Sequence, residues 1–330
     1  MKAVIARRPG AVLELVEREI PVPGAGEVLL KVEACGICRG DLATKDGRHG
    51  IDLPRVPGHE VVGTIESIGA QSTRFALGQR VGVGWRAGAC GRCEACRAGN
   101  AAACRNALTT GQHVDGGYAE YMIAREEALV QIPAGMAPAA AAPLLCAGRT
   151  TFAAFKNAGA KKGDLVVVQG IGGLGHLGSQ IAAKLGCRTV AISHGKSKEE
   201  FARSLGADVY IDAAAQDPVA LLREMGGVQA MLCTAPNSQE NSALIEAMRS
   251  GWRFMVVGHA DDPLQVPVRA LIRGVQVTGA GVATMADALD FARNNGVQPM
   301  IETFSLEDAN TAFNKMMDGT VHFRSVLAMG

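Results

Sequence analysis

The chain has 330 residues, more than one hydrophobic core usually organises, so we expect two domains. Hydrophobic residues make up 48% of it and aromatic residues only 4%, so aliphatic side chains must fill the cores. The 33 basic and 32 acidic residues nearly balance, which excludes a general attraction for nucleic acid or an anionic membrane.

Residues 1–6 read as a strand and lack the longer apolar stretch of a signal peptide. No apolar run approaches the roughly 20 residues of a membrane-spanning helix. Nine cysteines without an export signal fit a reducing compartment in which thiols bind metal. We therefore expect a cytoplasmic protein that binds no membrane.

Residues 1 to about 140 read as short strands separated by Gly and Pro. The clearest strands are at residues 28–32, 61–65 and 79–83. This spacing predicts a mainly β, partly barrel-like domain.

Four cysteines lie in a loop within this domain, at C-x2-C-x2-C-x7-C spacing: Cys90, Cys93, Cys96 and Cys104. Four thiolates with no open position describe a structural zinc site. The loop has no hydrophobic period that could fold it alone, so a metal would supply its order. A disulfide pair is the competing interpretation.

An alanine-rich helical stretch begins near Pro138, and strands alternate with helices from Asp164 onward. This alternation predicts a doubly wound parallel sheet of the Rossmann type. The predicted strands are at residues 165–169, 188–193, 209–211, 228–233, 253–257 and 275–278.

The first of these strands leads directly into a G-x-G-x-x-G pattern and then a helix, as a dinucleotide site requires. Its glycines allow a tight turn, close approach of a pyrophosphate, and close packing of the helix on the strand. The helix N-terminus attracts the phosphates. The residues of this loop are Gly170, Gly172, Gly173, Leu174 and Gly175. A plain glycine turn is the alternative.

The end of the second strand bears on which dinucleotide is bound. NAD sites usually carry an acidic residue there, but this chain has no carboxylate before Glu199. Ser193, His194, Lys196 and Lys198 suit a 2′-phosphate instead, which favours NADP(H) over NAD(H). The alternative is that these residues cap the next helix and face solvent.

Three further zinc-ligating residues lie far apart in the chain: Cys38, His59 and Cys146. Two thiolates and one imidazole leave a fourth position open, which is the arrangement of a catalytic zinc site. Taken singly, each residue could instead be an ordinary buried core residue.

Six motifs together resemble the zinc-dependent medium-chain alcohol dehydrogenases, and the resemblance covers essentially the whole chain. They are residues 35–41 (CGICRGD), 58–60 (GHE), the four-cysteine loop, 115–121 (DGGYAEY), 146–150 (CAGRT) and the glycine loop. The resemblance implies a Rossmann domain of residues 141–283. It also implies a discontinuous, GroES-like catalytic zinc-binding domain of residues 1–140 and 284–330.

In that family, the positions of Cys38, His59 and Cys146 hold the catalytic zinc. Glu60 matches a carboxylate that can approach the metal as an alternate ligand. Asp41 matches an acid that orients the histidine ring, as metal-bound histidines generally require.

Other matching positions imply contacts with cofactor and substrate. Thr150 corresponds to a residue that packs on the nicotinamide. Arg39 and Arg324 correspond to residues that contact the pyrophosphate. Trp85 corresponds to an aromatic residue of the substrate pocket.

Two positions depart from the family's proton relay. Gly40 replaces a hydroxyl residue, and Ala43 replaces a histidine. Water, Thr44 or His49, which we place in the substrate pocket, are the candidate substitutes. On this reasoning, Gly40→Ser should raise the rate or shift its pH profile. Arg149 stands where an aliphatic residue is expected, and the sequence offers no account of it.

The predicted function is hydride transfer between a primary alcohol, or the matching aldehyde, and NADP(H) or NAD(H), with NADP(H) favoured, in a homotetramer or homodimer with two zinc ions per chain. Polyol dehydrogenases of the same family are one alternative, although they tend to lack the ligand matched by Cys146. A non-enzymatic cofactor-binding protein is the other.

Overall fold

In the computed structural model, which describes residues 1–100 and 103–330, the chain forms two compact units. Unit 1 comprises Met1–Cys146 and Pro299–Gly330, and unit 2 comprises Ala147–Gln298. No helix in the described part of the chain is both long enough and apolar enough to span a bilayer.

The strands are β1 Lys2–Ile5, β2 Glu14–Glu17, β3 Glu27–Gly36, β4 Val61–Ile68, β5 Arg80–Val83, β6 Arg86–Gly88, β7 Leu108–Thr109, β8 Tyr121–Arg125, β9 Leu129–Gln131, β10 Leu165–Gln169, β11 Arg188–Ser193, β12 Val209–Asp212, β13 Val228–Cys233, β14 Met248–Val256, β15 Gln276–Thr278, β16 Ile301–Phe304 and β17 Arg324–Ala328. The α-helices are α1 Asp41–Lys45, α2 Glu94–Arg97, α3 Pro138–Ala141, α4 Ala147–Ala158, α5 Gly175–Lys184, α6 Glu199–Ser204, α7 Pro218–Glu224, α8 Ser238–Leu244, α9 Val268–Ile272, α10 Met285–Asn295 and α11 Ala309–Asp318. Short 3-10 helices span Arg48–Gly50, Glu126–Ala128, Ala142–Leu145, Lys196–Lys198 and Ile245–Ala247.

Unit 1 is built on a seven-stranded mixed sheet in the order β16-β17-β3-β4-β5-β9, with β8 also paired to β3. The C-terminal strand β17 pairs antiparallel with β3, and the Ile37 N–H donates to the Ser325 carbonyl oxygen at 2.9 Å. This pairing brings the residues after β3 next to those at the start of β17. Aliphatic side chains such as Leu30 and Ile65 fill the core.

Unit 2 contains a six-stranded, all-parallel sheet in the order β12-β11-β10-β13-β14-β15. Buried Val166, Val167 and Val168 of β10 lie at its centre, because a parallel sheet is covered on both faces. The predicted fold class, a Rossmann-type sheet plus a GroES-like domain, is confirmed.

The boundaries of the compact units lie later in the chain than residues 140 and 283, where the sequence analysis placed them. The Leu145 side chain packs at Gly82 of β5, which keeps the alanine-rich segment in unit 1. Helix α10 belongs to unit 2, since Phe291 packs on Phe152 of α4 with ring centroids 5.0 Å apart. The sequence predicts that the alanine-rich segment and α10 are helical, but it does not predict which unit each of them packs against.

Candidate active site and metal centres

Four side chains in unit 1 bring potential metal-ligating atoms within 4.8 Å of one another: Cys38, His59, Glu60 and Cys146. Cys38 follows β3, His59 and Glu60 immediately precede β4, and Cys146 follows the Ala142–Leu145 helix. The fold thus gathers in one place the three residues expected to bind a catalytic ion.

The Asp41 carboxylate, which is 2% exposed, fixes the geometry of this cluster. Its Oδ1 lies 2.9 Å from Nδ1 of His59 and accepts the Gly58 N–H at 3.2 Å. Its Oδ2 accepts the Cys38 N–H and the Tyr118 hydroxyl, both at 2.9 Å. The sequence did not predict Tyr118 as a partner of Asp41, although Tyr118 lies in the DGGYAEY motif.

The geometry fits a zinc ion. Nε2 of His59 is buried, has no hydrogen-bond partner among the described residues, and belongs to a cluster with two thiols. The neighbouring Cys146 thiol and the charge of the His59 ring hold the pKa of the Cys38 thiol well below its ordinary value. Zinc binds imidazole and thiolate, so this donor set with one free position has the chemistry of a catalytic zinc site.

Glu60 is the fourth member of the cluster, and its carboxylate is paired with Arg324. The Arg324 guanidinium contacts both carboxylate oxygens at 2.5 Å, and both residues are buried. Burial raises the pKa of Glu60 to about 7 against the opposing charge of Arg324. The structure therefore places Arg324 on Glu60, and its contact with a pyrophosphate stays a prediction.

A side chain at residue 40 would need the neighbouring rings to shift, and the expected effect of Gly40→Ser on the rate stays a prediction. A Cβ atom at residue 40 would lie 2.8 Å from Cζ3 of Trp85 and 2.9 Å from Cε1 of His59. Thr44 is a poor relay, because its buried hydroxyl donates to the Gly111 carbonyl oxygen at 2.7 Å. His49 lies on an exposed turn, and its place in the substrate pocket stays a prediction.

The four cysteines of the loop also converge. The sulfur atoms of Cys93 and Cys96 are 3.5 Å apart, and those of Cys90 and Cys104 are 3.6 Å apart. Zinc–sulfur bonds of about 2.3 Å give a tetrahedron with edges of about 3.8 Å, so these spacings fit one structural zinc. All nine cysteines are free, which disfavours the disulfide interpretation.

In unit 2, the glycine loop has the geometry expected of a phosphate-binding turn between β10 and α5. Gly170 has a φ of +89°, a conformation that favours glycine. A Cβ at Gly172 would meet no atom within 4 Å, so open space lies beside that backbone. A Cβ at Gly175 would collide with the Gly170 carbonyl oxygen, so close packing of the helix requires glycine there.

The segment after β11 is held by groups that the sequence analysis missed. Ser193 pairs in register with Asp212 of β12, whose Oδ1 accepts the Gly195 N–H at 2.7 Å. Nε2 of His194 lies 3.1 Å from a Glu240 carboxylate oxygen. Carboxylates thus reach this segment from β12 and α8, elements that are distant in sequence.

The remaining predicted cofactor residues are mostly exposed. Nζ of Lys198 lies 3.5 Å from the Ile171 carbonyl oxygen, beside the glycine loop. Lys196 and Arg39 are exposed, whereas Thr150 is half-buried in α4. Their contacts with a cofactor stay predictions.

Arg149, which the sequence left unexplained, anchors a loop. Its Nε donates to the Ala283 carbonyl oxygen at 2.9 Å. Asn157, also on α4, donates to the Val282 carbonyl oxygen at 3.2 Å. Helix α4 therefore holds the segment between β15 and α10.

Comparison with known proteins agrees with this architecture. The chain matches the alcohol dehydrogenase GroES-like domain over residues 24–134 and the zinc-binding dehydrogenase domain over residues 173–294. It is 40% identical to the alcohol dehydrogenase patD of Penicillium expansum, covering 99% of this chain and 97% of that protein. It is 39% identical to an alcohol dehydrogenase of Geobacillus stearothermophilus, covering 100% of this chain and 99% of that protein. The crystal structure of an NAD-dependent alcohol dehydrogenase superposes with a TM-score of 0.90 at 25% identity, covering 100% of both chains.

The chain therefore belongs to the zinc-type medium-chain alcohol dehydrogenase family. It is an oxidoreductase acting on CH–OH groups.

Replacing one ligand should separate the two metal centres. We expect Cys38→Ala to retain the zinc of the four-cysteine loop and to lose the other, because three donors fall to two. Activity should fall by about a thousandfold or more. Metal analysis of purified protein tests this, with Cys35→Ala, a buried thiol outside the cluster, as the matched control. Two zinc ions per chain in Cys38→Ala would contradict the assignment.

Proposed function

We propose that the protein is a zinc-dependent alcohol dehydrogenase and aldehyde reductase that transfers a hydride between a primary alcohol and NADP(H). The observation that carries this proposal is the state of Nε2 of His59, which is buried beside two thiols and has no hydrogen-bond partner in the described part of the chain, while Asp41 holds the other ring nitrogen. This arrangement costs free energy unless a ligand satisfies the nitrogen.

Cys38, His59 and Cys146 would hold the ion, and Cys90, Cys93, Cys96 and Cys104 would hold a second one. A bound zinc supplies Lewis acidity toward an alcohol or carbonyl oxygen, while the nicotinamide carries the hydride. The protein's own work is to position these donors. Asp41 holds the imidazole through Nδ1, so that its other nitrogen is directed to the ion.

The proposed preference for NADP(H) rests on the segment after β11. Ser193 places no negative charge at the end of that strand. The nearby carboxylates already have partners: Asp212 accepts the N–H groups of Gly195 and Ala214, and Glu240 pairs with His194. Lys198 lies beside the glycine loop, where a cation would attract a 2′-phosphate. A structure with the same fold is described as NAD-dependent, so the fold alone does not determine the cofactor, and we assign the preference to residues of this segment.

A homo-oligomer, either a tetramer or a dimer, and a cytoplasmic location complete the proposal. The oligomeric state follows from the resemblance to the family, and the cytoplasmic location follows from the nine free cysteines.

A substrate panel tests the reaction. With zinc-loaded protein and either cofactor, we expect primary alcohols and their aldehydes to give higher kcat/KM values than polyols. Higher values with polyols would favour the polyol dehydrogenase alternative. No turnover, despite stoichiometric zinc and tight dinucleotide binding, would favour a non-enzymatic protein.

Cofactor choice is tested by Ser193→Asp. The wild-type protein should have a higher kcat/KM with NADP(H) than with NAD(H). The new carboxylate would repel a 2′-phosphate and accept ribose hydroxyls, so the ratio should fall by about tenfold or more. Ser250→Asp, at an exposed site in the same unit, is the matched control. A wild-type preference for NAD(H) would refute the proposal.

A further inference from the structure

A carboxylate of helix α8 lies at the carboxyl edge of the parallel sheet in unit 2, although β11 itself carries no acidic residue. Glu240 is the third residue of α8, and the Asn237 side chain caps this helix by accepting the Glu240 N–H at 3.1 Å. Helix α8 follows β13, the neighbour of β10 in the sheet. Ligands of open parallel sheets bind outside the carboxyl ends of the strands, so Glu240 can act on a bound dinucleotide.

The buried side chain of Gln169, the last residue of β10, connects Glu240 with the glycine loop. Its Oε1 accepts the Ala235 N–H at 3.2 Å, and its Nε2 donates to Oε2 of Glu240 at 3.4 Å. Gly170, the first residue of the glycine loop, follows Gln169 directly. The carboxylate is therefore held beside the strand that leads into the predicted pyrophosphate site.

The other oxygen of this carboxylate faces the segment after β11. Nε2 of His194 lies 3.1 Å from Oε1 of Glu240, and both side chains are partly exposed. The next residue, Gly195, has a φ of +77°, a conformation that favours glycine. Its N–H donates to Asp212 at 2.7 Å, and its carbonyl oxygen accepts the Tyr210 hydroxyl at 2.6 Å. The backbone is thus fixed with the imidazole against the carboxylate.

The charge of Glu240 bears on the group that distinguishes the two dinucleotides. Residues at the end of the second strand bind the adenosine ribose, whose 2′ position carries a hydroxyl in NAD and a phosphate in NADP. An unpaired carboxylate close to this segment would repel the phosphate. A carboxylate hydrogen-bonded to an imidazole repels it less, and a protonated imidazole cancels the charge.

We propose that Glu240 and His194 are specificity-determining residues for the dinucleotide. In this pair, Glu240 supplies a negative charge that disfavours a 2′-phosphate, and His194 masks that charge. This inference rests on the proposed binding of the dinucleotide at this segment. It adds that the preference for NADP(H) requires His194 because Glu240 is present.

The experiment measures the binding of two adenosine fragments to zinc-loaded protein by titration calorimetry. Adenosine 2′,5′-bisphosphate carries the 2′-phosphate and adenosine 5′-monophosphate lacks it, so the ratio of their dissociation constants isolates that group. The proteins are the wild type, Glu240→Gln, His194→Ala and the double variant.

Glu246→Gln is the matched control, alone and combined with His194→Ala. Glu246 is another ion-paired carboxylate of unit 2, with Arg223 and Arg269 as its partners. It precedes β14 and therefore lies at the opposite edge of the parallel sheet.

We expect His194→Ala to weaken binding of the bisphosphate by about three- to tenfold at low salt, and by less at high salt, because the carboxylate loses its partner. In the Glu240→Gln background, His194→Ala should have little effect, because no charge is left to mask. Glu240→Gln by itself should leave binding of the bisphosphate unchanged or make it tighter. Binding of the monophosphate should change by less than about twofold in every variant, which excludes a general loss of structure.

An equal loss with His194→Ala in both residue-240 backgrounds would overturn the proposal, because His194 would then act on the phosphate independently of Glu240. An unchanged ratio in His194→Ala would overturn it as well, as would rescue by Glu246→Gln. The two proposals fail separately. A higher kcat/KM of the wild type with NAD(H) would refute the proposed cofactor preference, whereas the dependence of His194→Ala on residue 240 is measured without turnover.

Discussion

The candidate site depends on one buried carboxylate. Asp41 accepts hydrogen bonds from Cys38, Gly58 and Tyr118 and holds the His59 ring, so one side chain ties together three separate segments of unit 1. Burying a carboxylate without such partners would cost free energy, so Asp41 and its hydrogen-bond donors stabilise one another. Their combined effect is to leave Nε2 of His59 beside two thiols with no hydrogen-bond partner among residues 1–100 and 103–330.

Much of this site could be predicted from the sequence, because ligand identity is a matter of chemistry and motif spacing. Cys38, His59 and Cys146 carry donor atoms that zinc prefers, and the glycine loop follows a strand as phosphate binding requires. The sequence could not reveal Tyr118 as a partner of Asp41, because that contact depends on how distant segments pack.

The same distinction applies to the fold. Features that the local sequence determines could be predicted, and features that depend on packing between distant segments could not. Buried strands such as Leu165–Gln169 and Val228–Cys233 were predicted with the bounds that the structure has, because continuous apolar runs mark them. The limits of the compact units were not predicted with the same bounds, because the sequence of α10 does not indicate that this helix packs on α4. Arg149 was unexplained for a related reason, since its acceptor is a backbone carbonyl and carries no sequence signature.

An anomalous-difference map at the zinc absorption edge, from crystals of zinc-replete protein, would locate both ions. We expect a peak bonded to Sγ of Cys38, Nε2 of His59 and Sγ of Cys146, separate from a peak within the four-cysteine loop. A peak in the loop alone, with the His59 ring turned away from the two thiols, would contradict this expectation.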